Sequence, residues 1–84
     1  MHSIAPAYAE RTTVVGVDTH KHVHVAVALD WSGGRRGEVT ITATSDGYAR
    51  LAAWARRFGQ TIVFGIEGTG SYGAGLASFL RRSG

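Results

Sequence analysis

Two acidic residues, Asp18 and Glu67, each close a short apolar run, Val14-Val15-Gly16-Val17 in the first case and Ile62-Val63-Phe64-Gly65-Ile66 in the second. If the two runs are neighbouring parallel strands, both carboxylates emerge together at one carboxyl edge of a sheet, where open α/β sheets place their ligands. Carboxylates held so close repel, and one is pushed toward protonation unless a cation compensates. A hard divalent ion meets that need, and Mg²⁺ takes one or two carboxylates together with a substrate phosphate. Ions held this way activate water or a hydroxyl and stabilise the leaving oxygen in phosphodiester cleavage. The same acids also fit a plainer role as solvated strand ends beside turns.

The elements around them decide whether they can meet. Thr13 to Asp18 is β-branched with no helical spacing and reads as a strand buried on both faces. From His22 to Leu29 the pattern alternates, with Val23, Val25, Val27 and Leu29 on one side and His22, His24, Ala26 and Ala28 on the other. Ser32-Gly33-Gly34 supplies a turn, and Glu38 to Ala43 alternates as a third strand. Ser45 or Asp46 can then cap a helix whose apolar stripe is Tyr48, Leu51, Ala52, Ala55 and Phe58. Arg56 and Arg57 fall in its last turn, and Gly59 stops it as an αL cap. Thr61 to Glu67 is a second buried-type strand, broken by Gly68-Thr69-Gly70. Ser71 can cap a last helix with Tyr72, Leu76, Phe79 and Leu80 inward. The order is β-β-β-α-β-α. Short turns make the first three strands an antiparallel meander, and a right-handed crossover returns the fourth beside the first. The expected fold class is α/β, with a mixed sheet in the order 3-2-1-4.

Bulk properties narrow the classes. The 84 residues make one small domain, expected over 13–84, after a flexible polar leader at 1–12 that lacks a signal peptide's apolar core. With 44% hydrophobic and 18% charged residues the composition is that of a globular chain, not a disordered one. No apolar run approaches the ~20 residues of a membrane helix, so no membrane partner is expected. The lack of cysteine excludes disulfides and thiolate zinc sites and fits a cytoplasmic location. Net charge is +3, and arginines come in pairs at Arg35-Arg36, Arg56-Arg57 and Arg81-Arg82. Such pairs suit phosphate oxygens, and Arg35 and Arg36 are candidate nucleic-acid contacts. Solvated helix ends and a turn account for the pairs equally well.

His20, His22 and His24 recur at period two, which superficially suits a nickel or zinc ion. Same-face neighbours on a strand lie about 7 Å apart, wide for sharing one ion, so an exposed or half-covered face is expected instead. Trp31 and Trp54 read as core and turn packing. Lys21 is a candidate phosphate contact or a solvated residue between strands. Thr69 and Tyr72 are candidates to hydrogen-bond Glu67 or nucleic acid; alternatively Thr69 caps the last helix and Tyr72 packs, the role favoured for Tyr72. Gly68 and Gly70 allow main-chain N–H groups to approach an anion near a helix start.

The first block, Val14-Val15-Gly16-Val17-Asp18-Thr19-His20-Lys21, resembles the opening of the DEDD-type insertion-sequence transposases, the recombinases related to the Piv DNA invertases. Lys21, three positions after the acid, occupies that family's usual lysine. Phe64-Gly65-Ile66-Glu67-Gly68-Thr69-Gly70-Ser71-Tyr72 resembles the family's second block: an apolar strand, Glu, a small residue, Thr-Gly, any residue, and Tyr. The resemblance runs from Val14 to the chain end. It implies an incomplete RNase H-like (RuvC-like) nuclease domain in which Asp18 and Glu67 match the first two acids of the DEDD set and bind Mg²⁺. It further implies a transposase or site-specific recombinase that acts on DNA, works as a homo-oligomer when full-length and, in some members, is guided by a structured RNA. The two later aspartates and the second domain, which carries a proposed nucleophilic serine, have no counterpart in these residues. The chain is therefore expected to be an N-terminal fragment without activity of its own.

Two other readings compete. The sugar-kinase and actin superfamily shares this sheet, but its phosphate hairpin wants glycine near the first acid, where Thr19-His20-Lys21 is bulky. A non-catalytic nucleic-acid-binding remnant would bind DNA without regard to Asp18. A fourth strand left at the sheet edge, Ile62 to Ile66, is also an aggregation hazard.

Overall fold

The computed structural model describes residues 12–59, 61–68 and 71–83. Strands β1 (Thr12–Thr19), β2 (Val23–Leu29) and β3 (Arg35–Thr42) lead to helix α1 (Ser45–Arg56), strand β4 (Thr61–Glu67) and helix α2 (Ala74–Arg82). They build a four-stranded sheet in the order β3-β2-β1-β4. β2 is antiparallel to both its neighbours, and β1 is parallel to β4. This is the expected incomplete RNase H-like α/β topology. Nearly all of the leader at 1–12 lies outside the described residues; Thr12 itself already belongs to β1. Among the described residues no helix is long and apolar enough to cross a membrane.

Both helices pack on one face of the sheet. Val15 and Val17 of β1, Ala26 and Ala28 of β2 and Ile41 of β3 meet Leu51 and Ala55 of α1 and Leu76 of α2 in one core. Phe64 and Ile66 of β4 pack against its margin. The opposite face is open, and Val14, Val23 and Val63 are 37%, 39% and 50% exposed there. This corrects two sequence expectations. β1 and β4 are covered on one side, not both, and the covered side of β2 is the one bearing His24, Ala26 and Ala28. Alanine side chains leave room for a helix to come close to the sheet, and the single crossover from β3 to β4 places α1 on that side.

Element ends also differ from the expectation. Thr44, not Ser45 or Asp46, caps α1, its hydroxyl accepting the Gly47 N–H at 3.2 Å. α2 starts at Ala74 after Gly73 with no side-chain cap, so Ser71 does not cap it. Tyr72 precedes that helix and is 44% exposed instead of packed, and Trp31 is 57% exposed in the hairpin turn. Trp54 does pack, edge-on to Phe58 with ring centroids 4.9 Å apart. The β2–β3 turn is organised by Asp30, whose Oδ1 accepts the Ser32 N–H (3.0 Å), the Ser32 hydroxyl (2.7 Å) and the Gly34 N–H (2.7 Å). Those bonds, led by the Ser32 hydroxyl and the Gly34 N–H, hold the Asp30 carboxyl below the ordinary carboxylate range. With the turn closed by residue 34, pairing resumes at Arg35 opposite Leu29, earlier than the sequence suggested, and Arg36 is accommodated as a bulge.

Candidate metal centre at the carboxyl edge of the sheet

The parallel register of β1 and β4 pairs Thr12 with Thr61 and ends by pairing Asp18 with Glu67. Neighbouring strands lie about 4.8 Å apart, so the two carboxylates start from adjacent positions. Both residues are exposed and alternate with covered neighbours, Thr19 on one strand and Ile66 on the other. Their side chains therefore leave the sheet on its open face, at its carboxyl end.

Support comes from the covered side. Thr19 is buried, and its hydroxyl donates to the Glu67 main-chain oxygen at 2.8 Å, tying the end of β1 to the end of β4. Gly68 then turns the chain at φ +148°, and a Cβ there would overlap the Thr19 hydroxyl. Gly73 is also closely packed, though less tightly, since a Cβ there would press on Ile66 Cγ2 and Thr19 Cγ2. The glycine requirement at 68 is thus one of close packing and backbone angle. The sequence offered a weak sign of the Thr19 bond: Thr13, Val15, Val17 and Thr19 share one parity, which puts a hydroxyl on the face that becomes covered.

Asp18 Oδ2 lies 3.1 Å from His20 Nε2, an ion pair when the imidazole is protonated and a hydrogen bond from a neutral imidazole to the carboxylate otherwise. No ion pair to Glu67 occurs among the described residues. The histidine triplet does not share a face. His20 and His22 lie exposed in the turn after β1, while His24 is fully buried in β2. Among the described residues no group of three or more His, Cys, Asp or Glu side chains could hold a metal.

The other candidates are scattered. Lys21 is exposed in the same turn as His20. Thr69 lies outside the described residues. Arg35 and Arg36 open β3 at the far end of the sheet, two strands from β1, where Arg35 pairs with Glu38 and the Arg36 guanidinium lies 5.8 Å from the Phe58 ring centre. The fold does not bring these arginines to the acids.

A mixed 3-2-1-4 sheet whose adjacent parallel strands end in facing acids defines the class of protein as an RNase H-like α/β domain. The family model for IS110-type DEDD transposases, described as Transposase, matches residues 15–84, and the chain belongs to that family. No curated protein matches the chain. Membership places it with the insertion-sequence transposases, not with the sugar-kinase or actin-like proteins, and implies DNA as its partner.

Proposed function

We propose that Asp18 and Glu67 jointly bind Mg²⁺ and that this chain supplies half of a metal-dependent nuclease site for DNA transposition. The observation that carries the reading is the in-register pairing of the two acids on adjacent parallel strands, both on the solvent-open face. The donor set suits the ion: two carboxylates leave the remaining coordination positions of Mg²⁺ to water and phosphate oxygens. When bound, the ion would activate a nucleophilic oxygen and stabilise the departing one during phosphodiester cleavage and strand exchange.

The protein's own contribution is positional. The Thr19 bond and the Gly68 turn hold the two strand ends together from beneath. The open face admits a nucleic-acid backbone, and Lys21, exposed in the turn that follows β1, supplies a positive charge for a phosphate. Two acids are half of a four-carboxylate set, so the 84 residues alone should cleave no DNA. Recognition by a structured RNA and homo-oligomeric assembly belong to the same proposal, on the strength of the family resemblance.

Calorimetric titration with Mg²⁺ or Mn²⁺ tests the core of this reading. Saturable binding should appear in the wild-type chain and be lost in Asp18→Asn and in Glu67→Gln. Binding that survives both substitutions would place the ion elsewhere.

A further inference from the structure

We propose that His20 is a positioning residue for Asp18, and that the buried imidazole of His24 holds His20 in place. The inference rests on the metal reading above and extends it to residues that the reading does not use.

Three residues, His20-Lys21-His22, connect β1 to β2. The His20 N–H donates to the Val23 carbonyl at 3.1 Å, and His24 Nδ1 lies against both groups, 3.3 Å from that N–H, from which it accepts when unprotonated, and 2.9 Å from that carbonyl, to which it donates when protonated. On the other side of the turn the Ala43 N–H donates to the His22 carbonyl at 2.9 Å, anchoring it to the end of β3. His24 is itself fixed by the core. It is completely buried and stacks on Tyr48 of α1, with centroids 6.0 Å apart and planes within 7°. Tyr48 in turn leans on Phe79 of α2 at 5.8 Å. Packing of both helices is thereby transmitted through one imidazole to the backbone of His20, whose side chain returns to Asp18.

Burial of a histidine beside a core cluster of Val, Ala, Ile and Leu needs a reason. His24 Nε2 has no hydrogen-bond partner, a cost that an apolar residue would avoid. Contact with the turn is what the imidazole provides in exchange. An apolar side chain of the same shape could keep the stack on Tyr48 but could hydrogen-bond neither the His20 N–H nor the Val23 carbonyl that closes the turn.

The consequence for Asp18 is chemical. In neutral His20 a bond to the carboxylate requires the proton on Nε2, so the ring nitrogen facing Asp18 is a donor and not a rival metal ligand. With Oδ2 engaged, carboxylate rotation is restricted and Oδ1 is left for the cation. Partners that orient a metal-binding group in this way typically change metal affinity about 10–100-fold when removed.

The experiment is Mn²⁺ titration of the 84-residue chain, followed by electron paramagnetic resonance, together with ¹⁵N NMR of the imidazoles at mildly alkaline pH without metal. Wild type should show His20 as the Nε2–H tautomer. His20→Ala should weaken Mn²⁺ binding about 10–100-fold, and His20→Gln, whose amide can still donate to Asp18, should restore much of it. His24→Phe should disturb the His20 tautomer and weaken Mn²⁺ binding; the exposed His20 substitutions carry the test if this core variant does not fold. Unchanged Mn²⁺ affinity in His20→Ala, with loss in Asp18→Asn, overturns the positioning role and leaves the metal site standing. A wild-type His20 found as the Nδ1–H tautomer also overturns it. Mn²⁺ binding that is absent, or indifferent to Asp18→Asn, defeats the metal reading and this inference together.

Discussion

The Thr19 hydroxyl donates to the main-chain oxygen of Glu67 across 2.8 Å, joining the residue after one acid to the other acid itself. This bond lies on the helix-covered face, whereas both carboxylates leave from the open one. Backbone geometry is thus held in a dry environment while the charged groups stay in water, avoiding the large cost of burying two like charges. The arrangement separates what must be rigid from what must be reachable.

That bond should be measurable in stability. Thr19→Val preserves the shape but leaves the Glu67 carbonyl without its donor, at about 1–3 kcal/mol in chemical denaturation. Gly68→Ala should cost at least a similar amount, since it combines an unfavourable φ of +148° with overlap on the Thr19 hydroxyl. Pairing Gly68→Ala with Thr19→Ala should recover part of the loss, because only the overlap is relieved. Full additivity in that double-mutant cycle would contradict the contact.

Removing one acid should not destabilise the metal-free chain. Asp18 and Glu67 repel across adjacent strands, so Glu67→Gln is expected to leave the melting temperature unchanged or raise it slightly. With divalent ion at about 100 times its dissociation constant, the wild type alone should gain about 2.7 kcal/mol. A metal-free loss of stability in Glu67→Gln would mean that its carboxylate makes a favourable contact in the fold.

Asp30 provides a pH prediction away from the site. Its folded-state carboxyl is held low by the Ser32 hydroxyl first, then by the Gly34 N–H. A depressed folded value means that the turn's contribution is fully present above the unfolded value, about 3.9, and is lost as pH falls through the lower folded one. An NMR titration should find the Asp30 midpoint below that of an ordinary aspartate, and Ser32→Ala should move it upward. A midpoint at the ordinary value, or one untouched by Ser32→Ala, would remove the turn-closing role.

The open side of the sheet predicts self-association. β4 is an edge strand, and Val63, half-exposed upon it, lies beside the exposed Val14. Unpaired strand edges of this kind invite pairing with other chains, and an edge lysine blunts them. Val63→Lys should raise the monomer fraction in size-exclusion chromatography without changing the far-ultraviolet circular dichroism spectrum. Wild-type chain that already elutes as a single monomer and melts cooperatively would show that this face is no hazard.

Strand order, strand direction and the meeting of Asp18 with Glu67 were all legible in the sequence. Short turns force antiparallel neighbours, crossovers are right-handed, and an acid closing each of two apolar runs then has one place to go. The side of the sheet covered by the helices was not legible. β2 offers valines on one face and His24, Ala26 and Ala28 on the other, and alternation cannot say which of two apolar faces a helix will choose. Close approach over small side chains decided it, and with it the burial of His24, the exposure of the valines and the contact of His20 with Asp18. Side-chain period depends on local backbone geometry and can be read along the chain, whereas coverage depends on atoms that meet only after folding.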